Sequence, residues 1–170
     1  DPKRARELVL SLSRFFRINL KQNTAVVTLK EEIDHVNAYL AIEKARFAER
    51  LQVTIKCDDA AMSALLPSFT LQPLVENAVK HGIAQRIEGG HLTLNVRCTT
   101  DNHIHILVED NAGLYKPKKE QHAGLGMDIV DKRLIHQFGQ QAGLVIECRT
   151  NQFTRMSFSI PHTHYHSHQG

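Results

Sequence analysis

A chain of 170 residues with 42% hydrophobic content has the size of one domain with a substantial core and room for an appendage. Its net charge of +3 comes from 21 basic and 18 acidic residues mixed along the chain, which argues against a nucleic-acid partner and leaves a small anionic ligand in reach. No run approaches the roughly 18 apolar residues that span a bilayer, and no signal-peptide pattern opens the sequence. Cys57, Cys98 and Cys148 are an odd set without metal-clip spacing. Each falls in an alternating apolar run, so all three are expected to be reduced and buried, as in the cytosol.

From Arg4 to about Gln22, Leu8, Leu12, Phe16 and Leu20 recur at intervals of four, the stripe of an amphipathic helix that wants a partner. Thr28 and Glu31 form a capping box for a second helix through Ile33, Val36, Leu40 and Phe47. On its surface His35 is expected. At Leu51 the period changes to two: Leu51, Val53, Ile55 and Cys57 alternate with polar residues as in a half-buried strand. A helix after Pro67 has Pro73 in or near its first turn and Gly82 just past its end. Two strands follow over Leu92–Cys98 and Ile104–Val108, paired as an antiparallel ladder, the second ending in Glu109-Asp110-Asn111. The polar stretch 114–123 reads as a mobile loop. Gly124-Leu125-Gly126 opens a helix with apolar positions Ile129, Val130, Leu134 and Phe138, and two last strands, Leu144–Cys148 and Met156–Ile160, turn at Thr150-Asn151. The expected fold is an α/β two-layer sandwich, one sheet with helices on one face. Residues 1–50 are expected as a helical appendage, 51–161 as the main domain and 162–170 as a flexible tail. There His162, His164, His166 and His168 could chelate a transition metal or simply be disordered.

Three elements carry chemistry. On the helix after Pro67, Leu74, Val75, Ala78 and Val79 make an apolar stripe, while Asn77, Lys80 and His81 share the other side with Glu76 adjacent. An amide oxygen can ligate Mg²⁺, and an ammonium and an imidazole can meet phosphate oxygens, so the set suits a metal-bound polyphosphate; a solvated helix face has the same composition. Asp110, at a strand end before Asn111-Ala112-Gly113, could accept a hydrogen bond from an adenine amino group, or begin a plain turn. Gly124-Leu125-Gly126-Met127 at a helix start offers free N–H groups and the positive dipole end to phosphate, or serves as a hinge.

The ordered combination resembles the GHKL (Bergerat) ATP-binding fold. More narrowly, LQPLVENAVKHGI at 71–83, YLAIEKARF at 39–47 and LSRFFR at 12–17 look like the LytS-type sensor histidine kinases. The resemblance covers about residues 5–161. It implies a mixed, mainly antiparallel sheet, with Asn77 as Mg²⁺ ligand, Lys80 and His81 on the ATP phosphates and Asp110 on adenine. Gly113, Gly124, Leu125, Gly126 and Met127 would shape the nucleotide pocket and its lid, and Arg133-Leu134 continue the family's helix. It further implies a two-component kinase that transfers the ATP γ-phosphoryl to a histidine upstream of this segment, for relay to a response regulator. The expected setting is the cytoplasmic part of a homodimeric bacterial inner-membrane sensor, with residues 1–50 as a remnant of its dimerisation region.

Two positions depart from the pattern. Pro73 stands where many histidine kinases carry an additional Asn, and where the hydrolytic chaperone and gyrase types place a water-activating carboxylate. The usual Asp-x-Gly-x-Gly is altered to Asp110-Asn111-Ala112-Gly113-Leu114. A GHKL hydrolase, with Glu76 polarising a nucleophile by another route, and a nucleotide-binding regulatory module remain the alternatives.

Overall fold

The computed structural model describes residues 1–21, 26–116 and 125–162, and the side chains of all of these except 14–21 and 125. Helix α1 (Pro2–Lys21) half-buries Leu8 and Leu12 and leaves Val9 and Leu10 about three-fifths exposed. Strand β1 (Val26–Thr28) leads into α2 (Leu29–Phe47). The capping box is formed: Thr28 N–H donates to Glu31 Oε2 at 2.7 Å, and Glu31 N–H donates to Thr28 Oγ1 at 3.2 Å.

A five-stranded sheet follows in the order β2-β4-β5-β7-β6. Its members are β2 (Leu51–Cys57), β4 (Gly90–Cys98), β5 (His103–Asp110), β6 (Val145–Arg149) and β7 (Phe153–Pro161). Only the β2–β4 pairing is parallel, and the other three are antiparallel. Alternation does what it predicts: Leu92, Leu94 and Val96, Ile104, Ile106 and Val108, and Met156, Phe158 and Ile160 all point into the core. Asn102 and Asn151 adopt positive φ at the two hairpin turns, a conformation their short side chains tolerate. The helices cover the apolar face. From α3 (Leu71–Asn77) come Leu71, Leu74 and Val75, and from α4 (Leu125–Phe138) come Val130 and Leu134. Leu29, Ile33, Val36, Tyr39 and Leu40 of α2 join the same apolar cluster.

The structure corrects several expectations. A small sheet pairs β1 antiparallel with β3 (Leu65–Pro67), tying the start of α2 to the strand before α3. Three residues per strand are too few to register as alternation. The helix after Pro67 does not end before Gly82: the α-turns of α3 give way to a π-turn over Ala78–Gly82 and a 3-10 turn over Ile83–Gln85. Ile129 is 46% exposed, because the apolar side of α4 is carried by Val130 and Leu134. Cys148 is exposed and Cys57 and Cys98 are only partly buried. Cys148 lies on β6, the edge strand, whose exposed positions show that no layer covers it. His35 is not a surface histidine but is 1% exposed, its ring edge-on to Phe69 at 5.5 Å between centroids. Residues 117–123 of the expected loop, Gly124, and the tail histidines 164, 166 and 168 lie outside the described residues. His162 is described, with Nε2 2.8 Å from the Ala60 carbonyl oxygen.

Candidate functional site

The apolar stripe of α3 and its π-turn is fully spent on the core, with Leu74, Val75, Ala78 and Val79 each 2% exposed or less. The opposite side must therefore face out. There Pro73, Glu76, Asn77, Lys80 and His81 line an open cleft of about 240 Å³, with Gly126 and Met127 from the first turn of α4 on its other side. A Cβ on Gly126 would stand 3.4 Å from Pro73 Cβ, an ordinary van der Waals distance, so the start of α4 runs close alongside α3 at that point. The π-turn adds a residue to the turn that carries Lys80 and His81, an insertion common at functional sites.

Glu76 is held in the cleft from one side: Gln72 Nε2 donates to its Oε1 at 3.0 Å, and Lys80 Nζ lies 4.0 Å from its Oε2. Lys80 is more than half exposed, so the pair is loose and the ammonium can turn to another anion.

Asp110 does not line the cleft but stands beside its end. A Cβ on Gly82, the residue after His81, would come within 3.0 Å of the Asp110 carboxylate, so glycine is what lets this turn pack directly against that carboxylate. Asp110 is 2% exposed, and its Oδ1 accepts from Ala112 N–H at 2.8 Å and Gly113 N–H at 3.2 Å. Burial pushes its carboxyl above the usual aspartate range, against the backbone donors of Ala112 and Gly113, which pull it down.

The altered glycine box has clear structural duties. Asn111 Oδ1 accepts from His91 N–H at 2.8 Å, locking the box to β4, and Arg86 Nη1 donates to the Asn111 carbonyl at 2.8 Å. Gly113, at φ +62, is required by packing: a Cβ there would fall 2.3 Å from the Arg149 carbonyl oxygen of the β6–β7 hairpin. Gly113 does not line the cleft, and its contacts are with the hairpin it packs on.

Of the expected site residues, Glu76, Asn77, Lys80, His81, Gly126 and Met127 converge on one cleft, and Asp110 adjoins it. Gly124 and the Leu125 side chain fall outside the description. Gln72 and Gly82 were missed as site residues, although a Gln four positions before Glu76 on one helix was a readable signal. The donor set fits a magnesium-bound nucleotide: a neutral amide oxygen, two nitrogenous groups for phosphate, and a buried acceptor at the far end. Among the described residues no group of three or more His, Cys, Asp or Glu could hold a metal by itself.

The histidine kinase family model matches residues 1–51, and the model of the histidine kinase-, DNA gyrase B- and HSP90-like ATPases matches 62–164. The chain is 47% identical over 161 residues to the sensor histidine kinase BtsS of Escherichia coli K12, covering 95% of the chain and 28% of that protein. It is 37% identical over 168 residues to the sensor histidine kinase/phosphatase LytS of Staphylococcus aureus MRSA252, covering 91% of the chain and 28% of that protein. It therefore spans little more than a quarter of the curated relatives it matches. Among solved structures, the histidine kinase domain of the Erythrobacter litoralis EL346 blue-light activated kinase superposes with a TM-score of 0.58 at 18% identity, over 93% of this chain and 74% of that one. The Acinetobacter baumannii histidine kinase AdeS superposes with a TM-score of 0.57 at 11% identity, over 91% and 77%. These two likenesses speak for the fold.

Proposed function

Since the chain belongs to the sensor histidine kinases and carries their ATPase-type domain, we propose that it binds Mg²⁺-ATP and transfers the γ-phosphoryl group to a histidine on a segment outside these 170 residues. The observation that carries this reading is the convergence of Glu76, Asn77, Lys80 and His81 with the first turn of α4 on one cleft, beside buried Asp110. Asn77 would hold the metal, Lys80 and His81 the phosphates, and Asp110 the adenine amino group. Bound Mg²⁺ would neutralise charge on the phosphate oxygens. In the transfer an imidazole nitrogen bonds to the γ-phosphorus as the bond to the bridging oxygen of departing ADP breaks, and Glu76 accepts a hydrogen bond from the imidazole N–H.

Residues 1–50 would then be part of the dimerisation region, 51–161 the catalytic domain and 162–170 a tail. The partners would be the histidine-bearing helix, a second copy of the chain and a response regulator, in the cytoplasmic part of a membrane sensor. Among the described residues no helix is long and apolar enough to cross a membrane. A hydrolase is the less favoured reading, because Pro73 occupies the position from which a carboxylate could activate water, one turn before Asn77.

Calorimetric titration with a non-hydrolysable ATP analogue tests the binding half. Wild type should bind far more tightly with Mg²⁺ than without, and Asn77→Ala should remove most of that difference, a loss on the order of 1–3 kcal/mol for the ligand atom. Equal binding with and without the metal, or an unaffected Asn77→Ala variant, counts against the assignment.

A further inference from the structure

Glu32, in the first turn of α2, is a carboxylate 1% exposed that none of the chemistry above uses. Its Oε1 accepts from Phe69 N–H at 2.6 Å, and its Oε2 accepts from Thr70 N–H at 3.0 Å and Leu71 N–H at 2.9 Å. These are the amides at the start of α3. Thr70, the capping residue of that helix, makes no side-chain cap, its hydroxyl donating instead to the Pro67 carbonyl. A carboxylate from another helix thus takes over the capping task, where negative charge also suits the helix dipole. It holds Phe69 at φ +58 as well, a left-handed conformation that a bulky residue keeps only under constraint.

The same turn is gripped from the other side. Arg133 of α4 donates through Nη1 to the Ser68 carbonyl at 2.5 Å and through Nη2 to Ser68 Oγ at 3.4 Å. Arg133 also favours the charged form of Glu32, while burial pushes that carboxyl up. Residues 68–71 are therefore the joint at which α2, α3 and α4 are fixed to one another. Helices α3 and α4 are also the two walls of the cleft.

We propose that Glu32 is a positioning residue for the nucleotide site: from α2 it fixes the start of the helix bearing Asn77, Lys80 and His81, while Arg133 fixes the same turn from α4, so that the joint sets the spacing of the two cleft walls. The inference rests on the ATP-site reading above. It gives α2, within the expected dimerisation region, a direct mechanical path to the phosphate-binding face, and by linkage a nucleotide that pulls on α3 must also bias α2.

The test uses two probes on the 170-residue chain: an ATP analogue with Mg²⁺, which engages the α3 face, and metal-free ADP, which leans more on Asp110. Glu32→Gln is nearly isosteric but presents an amide NH₂ to N–H donors. It should weaken Mg²⁺-analogue binding roughly tenfold, the size of a lost helix cap, while metal-free ADP changes much less. Arg133→Lys should act in the same direction. Hydrogen exchange of the amides of residues 69–71 should accelerate in Glu32→Gln ahead of the sheet amides. Unchanged affinities for both probes, or an equal loss of both in proportion to a lowered melting temperature, would overturn the proposal. A wild-type chain that binds neither probe would instead sink the ATP-site reading itself.

Discussion

Asp110 combines burial, backbone hydrogen bonds of 2.8 and 3.2 Å from Ala112 and Gly113, and close packing on Gly82, where any Cβ would crowd its carboxylate. Its ionised form is the acceptor an adenine amino group needs. Because burial raises its pKa above the ordinary 3.8, acid protonates it earlier than a free aspartate. ADP affinity is therefore predicted to fall on the acid side with a limb that begins above that value. Asp110→Asn should bind more weakly at neutral pH by about 1–3 kcal/mol, the cost of an unmatched hydrogen bond in a closed site, and should lack the limb. For folding, the sign is opposite: a carboxyl with a raised native pKa contributes its stability at low pH and loses it as pH rises through that pKa. Titrating ADP into both proteins across the acid range measures the difference. An identical pH profile in the two would remove Asp110 from the site.

At the scale of elements, the packing of α2 on α3 is polar where sequence periodicity reads it as a surface. Glu32, His35 and Glu43 are all buried on α2, and Gln72 is buried opposite on α3. Burial holds the His35 imidazole below the usual 6.5, only partly offset by the Glu76 carboxylate. A histidine whose native pKa is depressed contributes stability that is full above its unfolded value and is lost as pH falls below it. The melting temperature should accordingly drop as pH is lowered from 7 towards 5, and more steeply than in His35→Gln. His105 titrates in the same direction, its pKa lowered by burial and Arg97, so the difference between the two proteins isolates His35. Parallel curves would show that His35 does not sense the acid side. The strands of the five-stranded sheet and the α2 capping box were legible because period-two alternation and a Thr-x-x-Glu spacing are local signals. Burial of His35 and Glu32 was not. Two acids in a first turn read as dipole partners, and nothing local says that Glu32 faces the amides of residues 69–71, which come from 37 to 39 positions away. The π-turn was equally hidden, since one inserted residue leaves composition unchanged and shifts only which residues face the cleft.

At the scale of the molecule, the residues that line the candidate cleft were legible as a set because weak motifs stood in one order, while their spatial relation depended on contacts no motif contains. Gly82 against Asp110, Gly113 against the β6–β7 hairpin and Arg133 against Ser68 all join segments distant in the chain. The edge exposure of Cys148 is likewise a property of sheet order, in which β6 comes last although β7 follows it in sequence. The function proposed for the whole rests on phosphoryl transfer, which needs positioned cations and an acceptor more than covalent chemistry from the protein. The most direct measurement incubates the chain with γ-labelled ATP, Mg²⁺ and a separate polypeptide bearing the family's histidine-carrying helix. Acid-labile label should appear on that polypeptide, vanish with Asn77→Ala, and stay low on the chain itself. Demonstrated ATP binding without label on the polypeptide, or strong acid-labile label on the chain alone, would contradict the proposed transfer.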